Sequence, residues 1–411
     1  MRIAIIGGGA AGMMAAATVH EINPGAEVFL LEKNAELGKK VLISGGGRCN
    51  VTTGTEDVAE LVPKYPRGGK FVQSALRNFS PADVRAWFES HGVPLRCEED
   101  LRVFPVSNKG KDVVGAFEHI FAHAAITVLF NSHVESVVRK ADGFTVFIRG
   151  KEPLSVDRVV LALGGQAYRH TGSTGDGYTL AESLGHHITA LAPSLNSFIT
   201  LEKWPKKLAG VSFVKATIIT HGSKRFSFTG PFLFTHLGVS GPAVFALSSL
   251  VAFEDYSPKK PLSITLDLVP DSTTTTLLAN IQRAMIAAPK KSFKNTLHLF
   301  IPLSVVEVIC DTLTIPLDKK NAEVTKRIVQ ETVQWLKQVP LSVIGRGAGD
   351  EFVTAGGVEL SEVNPRTMES KLVPGLFFAG EILNVDGFTG GFNLQAAWST
   401  GRVAGEHAGV A

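Results

Sequence analysis

Arg2-Ile3-Ala4-Ile5-Ile6-Gly7-Gly8-Gly9-Ala10-Ala11-Gly12 decides the fold of this chain. The first five residues form a short apolar run rich in β-branched side chains, the glycines permit a tight turn, and Met13 to Ala17 are good helix formers. The segment therefore predicts strand, turn and helix. Within it, Gly7-x-Gly9-x-x-Gly12 is followed by a second strand-like run, Glu27 to Leu31, and by an acid, Glu32, 20 residues beyond Gly12. In this context the glycines let backbone approach a pyrophosphate at the positive end of a helix, with Ala11 lining the same turn. Glu32, with Lys33 beside it, can accept hydrogen bonds from both adenosine ribose hydroxyls. An acid there disfavours a phosphorylated ribose, which leaves FAD or NAD as the resident nucleotide.

Working outward, Asp157 to Leu163 is another continuous apolar run, as expected of a parallel strand covered on both faces, and the doubly wound α/β sheet is the natural fold. Ser80-Pro81-Ala82-Asp83 reads as a helix start, and Val134 to Ile148 alternates about Asp142-Gly143 as a hairpin would. From about 192 to 270 the pattern becomes short β segments. Between 271 and 338 it turns helical, with Leu277, Ile281 and Met285 on one face. Strand-like, glycine-rich text returns at Phe352 to Gly357 and Leu376 to Gly380. The expected organisation is a nucleotide-binding domain over 1–191, an inserted β-barrel domain over 192–270, a helical subdomain over 271–338, and a return through a barrel strand to the first domain over 339–411.

Of the 411 residues, 45% are apolar and 19% charged, which excludes a disordered or fibrous chain. Glycines interrupt the apolar opening and no uninterrupted apolar stretch of about 18 residues follows, so neither a membrane span nor a signal peptide is expected. Three widely spaced cysteines with no CxxC pair signal neither a redox dithiol nor a metal site, and a cytoplasmic location is expected. The net charge is only +3, yet residues 190–345 carry 17 Lys and Arg against 10 Asp and Glu. The excess comes in pairs such as Lys206-Lys207, Lys290-Lys291 and Lys319-Lys320. It reads either as a solvated surface or as a platform for phosphates.

Further glycine motifs end strands. Leu161-Ala162-Leu163-Gly164-Gly165 is one; Phe377-Phe378-Ala379-Gly380-Glu381 is another, whose acid can hold ribitol or pyrophosphate-side hydroxyls or serve as a cap. Gly390-Gly391-Phe392-Asn393-Leu394-Gln395 enters a helix whose free amides would stabilise negative charge on the pyrimidine end of a reduced flavin. Gly345-Arg346-Gly347-Ala348-Gly349 lacks the strand and helix context of a second nucleotide site, so a nicotinamide would be a visiting substrate.

The run Gly38-Lys39-Lys40-Val41-Leu42-Ile43-Ser44-Gly45-Gly46-Gly47-Arg48-Cys49-Asn50 resembles the signature of the BaiN/RdsA (YhiN-like) family of FAD-dependent oxidoreductases, some of whose members are called aminoacetone oxidase-like. Four further blocks match: Arg102 to Pro105, Thr171 to Tyr178, Phe234-Thr235-His236 through Pro242, and Thr354 to Val358 through Gln395. Thr53, Arg169 and Asn384 stand where the family usually has asparagine, proline and aspartate. The resemblance implies a Rossmann-like FAD domain of the two-dinucleotide-binding type, interrupted by a β-barrel and a small helical subdomain. It also implies that Lys40, Ser44, Gly45, Gly46, Arg48, Cys49, Asn50 and Thr174 join Gly164, Gly165, Gly380, Glu381, Gly391, Asn393 and Leu394 around the cofactor.

Read from the residues, glycines 45 to 47 offer amides near a flavin and Arg48 adds a cation for phosphate or a reduced ring. Cys49 is either an acid toward substrate or a small packing residue, and His236 either a proton donor or a structural hydrogen-bonder. The expected activity is NAD(P)H-driven reduction of a carbon–carbon double bond. The resemblance allows uridine in 23S ribosomal RNA, reached through the basic insertion. The alternatives are a small-molecule flavoenzyme, either an ene reductase on steroid-like or unsaturated acids or an amine oxidase, and a flavoprotein that binds RNA without turnover.

Overall fold

In the computed structural model, which describes residues 1–347 and 352–410, the apolar run Arg2–Ile6 is the central strand of a five-stranded parallel sheet. The order is Leu376–Phe378, Arg158–Leu161, Arg2–Ile6, Glu27–Leu31, Ile126–Leu129. Ile3, Ala4 and Ile5 are fully buried, which is what a strand covered on both faces requires. Two segments far apart in sequence thus flank the first strand, and the sheet closes only after residue 376.

The first helix, Ala10–Ile22, is buried without a break from Ala11 to Val19. Its small side chains admit the last helix, Phe392–Gly409, at backbone distance. A Cβ on Gly401 would lie 2.4 Å from the Ala11 carbonyl oxygen, and one on Gly405 would lie 2.6 Å from that of Ala15. These contacts forbid any side chain on that face of the last helix.

The chain divides into two compact units, Met1–Ser194 with Phe352–Ala411, and Leu195–Glu351. The first unit extends to residue 194 because Ala192–Ser194 pairs antiparallel with Val353–Ala355. It also carries the hairpin of Val134–Lys140 and Gly143–Ile148, and the helix Pro81–Ser90 with reciprocal Ser80 and Asp83 capping bonds.

The second unit holds a closed six-stranded barrel: Phe198–Thr200, Gly238–Ser240, Ser227–Phe234, Ser212–Thr220, Leu262–Asp267 and Val339–Arg346. Four helices between Thr274 and Lys337 interrupt it before its last strand, which closes against the first. Leu277, Ile281, Val329 and Leu336 from these helices share one apolar cluster with Ile218, Ile264 and Val343 of the barrel. The barrel and the helical segment therefore share one core. Gly345 and Arg346 end the closing strand, whereas Ala348 and Gly349 of the glycine run lie outside the described residues.

The seam between the terminal helices generates a prediction. Gly405→Leu overpacks it and costs about 1–3 kcal/mol, read as a lower urea midpoint with an unchanged denaturant slope. An unaltered midpoint would contradict the close approach.

Candidate functional site

The Gly7–Gly12 turn sorts its three glycines by what surrounds them. A Cβ on Gly7 would lie 2.5 Å from the Ala162 carbonyl oxygen, and one on Gly12 would lie 1.9 Å from that of Gly7. Both are required by packing. Gly9, in ordinary extended backbone at φ −82°, has nothing within 4 Å of where its Cβ would stand. That space opens at the N-terminus of the first helix, whose leading amides have no partner within the helix and no side-chain cap. A pyrophosphate fits this cradle in charge and in room.

Glu32, largely buried, follows the second strand. Its Oε2 accepts from the Gly8 amide at 2.8 Å, and its Oε1 accepts from the Asn34 amide and Nδ2, each at 2.7 Å. Spare accepting capacity for a ribose hydroxyl therefore resides on Oε2. Lys33 reaches across to Thr174 Oγ1 at 2.6 Å and Asp176 Oδ2 at 2.7 Å, fastening the 171–176 segment to the end of the second strand. Burial raises the Asp176 carboxyl, but its bonds to Lys33 and Thr174 outweigh this and leave it below its ordinary range.

On the other side, Gly380 (φ 78°) lies against Ala11, where a Cβ would come within 2.8 Å of Ala11 Cβ. Glu381 follows. Its Oε1 accepts from the Thr354 amide at 2.8 Å and its Oε2 pairs with Lys40 at 2.7 Å. Gly165 packs on the same pair, a Cβ there lying 2.5 Å from Thr354 Oγ1 and 2.9 Å from Glu381 Oε1; Ser173 Oγ donates to the Gly165 carbonyl and would lie 3.2 Å from a Cβ on Gly164. Glu381 thus retains one lone pair per oxygen beside the turn.

The Gly38–Asn50 segment is tied to the turn by a 2.9 Å bond from the Gly38 amide to the Gly8 carbonyl. Gly45, Gly46 and Gly47 all take positive φ, and a Cβ on Gly46 would meet nothing within 4 Å. Ser44 Oγ donates to the Val41 carbonyl, and Asn50 Oδ1 accepts from the Val103 amide, so both side chains help to shape the segment. The last helix begins at Gly391 (φ 90°), without a side-chain cap, and Leu394 packs inward from its first turn. Asn393 faces back: its Oδ1 accepts from the Gly387 amide and its Nδ2 donates to the Gly387 carbonyl, each at 2.8 Å.

The surroundings of three candidate residues narrow what each can do. Arg48 does not present a free cation, because its guanidinium lies 3.7 Å above the Phe104 ring, pairs with Glu98 and bonds Asn108 at 3.0 Å. Cys49 is fully buried, and burial pushes its thiol up to about 12 despite a hydrogen bond with Ser44. It has no surface from which to protonate a substrate, which leaves the packing role. His236 belongs to the second unit, exposed in the turn between strands Ser227–Phe234 and Gly238–Ser240.

Asn34, Thr354, Arg67 and Asp386 are not among the expected site residues. Asn34 carried a signal, an amide two residues after the acid. Arg67 forks onto the Asp386 carboxylate, whose side chain is 0% exposed, and Ser194 Oγ donates to the same carboxylate at 3.0 Å. These partners are separated by more than a hundred residues, so no local pattern announces them.

Two outcomes are expected. Gly9→Val leaves the unfolding midpoint near wild type yet weakens FAD binding by at least about tenfold in a fluorescence titration of apoprotein, whereas Gly12→Ala lowers the midpoint itself. Equal FAD affinity in Gly9→Val would remove the cradle. With a thiol reagent at pH 8, exposed Cys97 reacts, while Cys49, held as the unreactive thiol, reacts only after unfolding.

Comparison with known proteins accords with this geometry. The family profile described as "HI0933-like protein Rossmann domain" matches residues 1–407. The 3-dehydro-bile acid delta(4,6)-reductase of Clostridium scindens is 30% identical over 99% of this chain and 98% of its own. The ribosomal RNA dihydrouridine synthase of Escherichia coli is 32% identical over 96% of this chain and 95% of its own. Among solved structures, a 3-ketosteroid delta1-dehydrogenase from Sterolibacterium denitrificans aligns over 99% of both chains with a TM-score of 0.54 and 13% identity. A flavocytochrome c3 fumarate reductase aligns over 99% of this chain and 78% of its own with a TM-score of 0.51 and 17% identity; at such identities these two speak to fold alone. The open cradle at Gly9 and the buried acid at the end of the second strand accord with the profile match over residues 1–407, which places this protein in the HI0933-like family of FAD-dependent oxidoreductases.

Proposed function

We propose that this protein reduces a carbon–carbon double bond with electrons from NAD(P)H, and that the bond is the C5–C6 bond of a uridine in 23S ribosomal RNA, giving dihydrouridine. FAD, when bound, supplies the two-electron chemistry. The chain's own residues hold and bias it: the Gly7–Gly12 turn and the first helix take the pyrophosphate, Glu32 the ribose, and the leading amides of the last helix favour negative charge at the pyrimidine end. The sequence has one strand–GxGxxG–helix unit, which supports a nicotinamide that visits and leaves.

The observation that carries the choice of RNA is the arrangement of lysines in the second unit. Two loops distant in sequence are paired: Phe293 N–H donates to the Lys319 carbonyl at 2.8 Å, Asn321 N–H to that of Lys291 at 2.9 Å, and Ala322 N–H to that of Pro289 at 3.1 Å. Buried Asn321 joins them, its Nδ2 donating to the Ala288 carbonyl at 2.7 Å and to Thr296 Oγ1 at 2.8 Å. Lys290, Lys291 and Lys320 are thereby exposed together, with Lys319 half-buried beside them and Asp318 and Glu323 as the acids on the same loop. A ridge of this kind suits a phosphate backbone, whose binding releases counterions. The dihydrouridine synthases of Escherichia coli and Haemophilus influenzae, 32% and 30% identical over nearly the whole chain, support the same substrate. The bile acid reductase relative favours a second reading, a small unsaturated substrate.

Mass spectrometry of 23S ribosomal RNA from cells with and without the gene decides between them. Loss of a uridine heavier by two hydrogens on deletion is the expected result, and identical RNA moves the substrate to the small-molecule class. Exchanging Lys290, Lys291, Lys319 and Lys320 for Gln is expected to weaken RNA binding and to flatten its logarithmic salt dependence by about 0.7–0.9 per lost phosphate contact. An unchanged slope would free the ridge from that role.

A further inference from the structure

The loop that launches the last helix is held by a strap from elsewhere in the first unit. Tyr65 and Arg67, two residues apart, grip it at two points: Tyr65 Oη donates to the Phe392 carbonyl at 2.8 Å, and the Arg67 guanidinium forks onto Asp386. Gly68 (φ 70°) lets the strap lie flat, since a Cβ there would stand 2.7 Å from the Asn384 carbonyl oxygen and 2.6 Å from Val385 Cγ2. Ser194 adds the third bond to the Asp386 carboxylate. Asp386 in turn adjoins Gly387, whose amide and carbonyl are both bonded by the Asn393 side chain in the helix's first turn. A displacement at Asp386 is therefore carried to the amides at the helix start.

A buried ion pair contributes little net stability, because desolvating two charges offsets their attraction, and apolar replacements of like volume are often as stable. The fold alone does not account for a pair in this place. We propose that Arg67 and Asp386 are positioning residues for the cofactor: they fix the aim of the leading amides of the last helix so that these favour the reduced, negatively charged flavin over the oxidised one. The pair contributes position without net charge, since the Arg67 guanidinium offsets the Asp386 carboxylate. The inference rests on the assignment of FAD to this site and not on the choice of substrate.

The test is the double variant Arg67→Met with Asp386→Leu, which is also neutral, so that any change in the flavin reports geometry and not charge. Its thermal midpoint is expected at or above that of wild type. Its preference for reduced over oxidised FAD is expected to fall by about tenfold, a shift of ~30 mV toward negative potential for a two-electron couple, measured by dye equilibration. Ser194→Ala, which keeps the pair and removes only the hydroxyl, is expected to shift the potential in the same direction by a smaller factor and keeps the test decisive should the double variant not fold. A wild-type potential in the folded variants overturns the proposal and leaves the pair a structural fastening. Failure of wild-type apoprotein to take up FAD would instead overturn the cofactor assignment beneath it.

Discussion

The contact on which the first unit depends is the seam between its first and last helices, where Gly401 and Gly405 lie against the Ala11 and Ala15 carbonyls. Only residues without a side chain permit that distance, and dispersion across so close a contact is correspondingly strong. The seam sets the last helix beside the first and brings Gly380 against Ala11, so two helix starts and the ends of four parallel strands converge on one region. A dinucleotide carries negative charge near its middle and, when reduced, at its flavin end. Two uncapped helix N-termini suit both places.

Around this region the acids are already engaged. Glu32 is bonded by Gly8 and Asn34, Glu381 by Thr354 and Lys40, and Asp386 by Arg67 and Ser194. Each carboxylate is oriented by protein donors and, for Glu32 and Glu381, still has lone pairs to offer a hydroxyl. Such preorganisation lowers the reorganisation needed when a ligand arrives. The backbone is shaped in the same way: Gly38 is fastened to Gly8, and the run Gly45–Gly47 takes a left-handed path that side chains would resist.

The second unit follows a different economy of structure. Its barrel leaves off after Leu262–Asp267, the chain builds four helices, and only then does Val339–Arg346 complete the wall. The helices bury Ile281 and Leu336 with the barrel's Ile264 and Val343, so the excursion is held by apolar area shared with the barrel. The tips of the excursion, free of that burial, carry the lysines, and Asn321 joins two of those tips with side-chain bonds that water cannot replace once they are covered.

Much of the fold and the nucleotide end of the site was legible in the amino-acid order. The apolar run to Ile6, the spacing of Gly7, Gly9 and Gly12 and the acid at Glu32 are local features, and turn geometry and strand periodicity are governed by neighbours in sequence. The change of apolar period near 271 was legible too, and the helices that follow the barrel strand Leu262–Asp267 begin at Thr274. The partners of Arg48 and the Arg67–Asp386 pair were not. Whether a guanidinium meets a phosphate or a ring such as Phe104 depends on what the chain folds against it, and Asp386 finds Arg67 across more than three hundred residues. Sequence by itself determined where the dinucleotide turn lies and which face of each element is apolar, since both follow from short-range backbone and side-chain spacing. Tertiary structure alone decided which polar groups are spent on one another and which remain for a ligand, since that is settled by long-range burial, where every polar group must find a partner or lose the water it had.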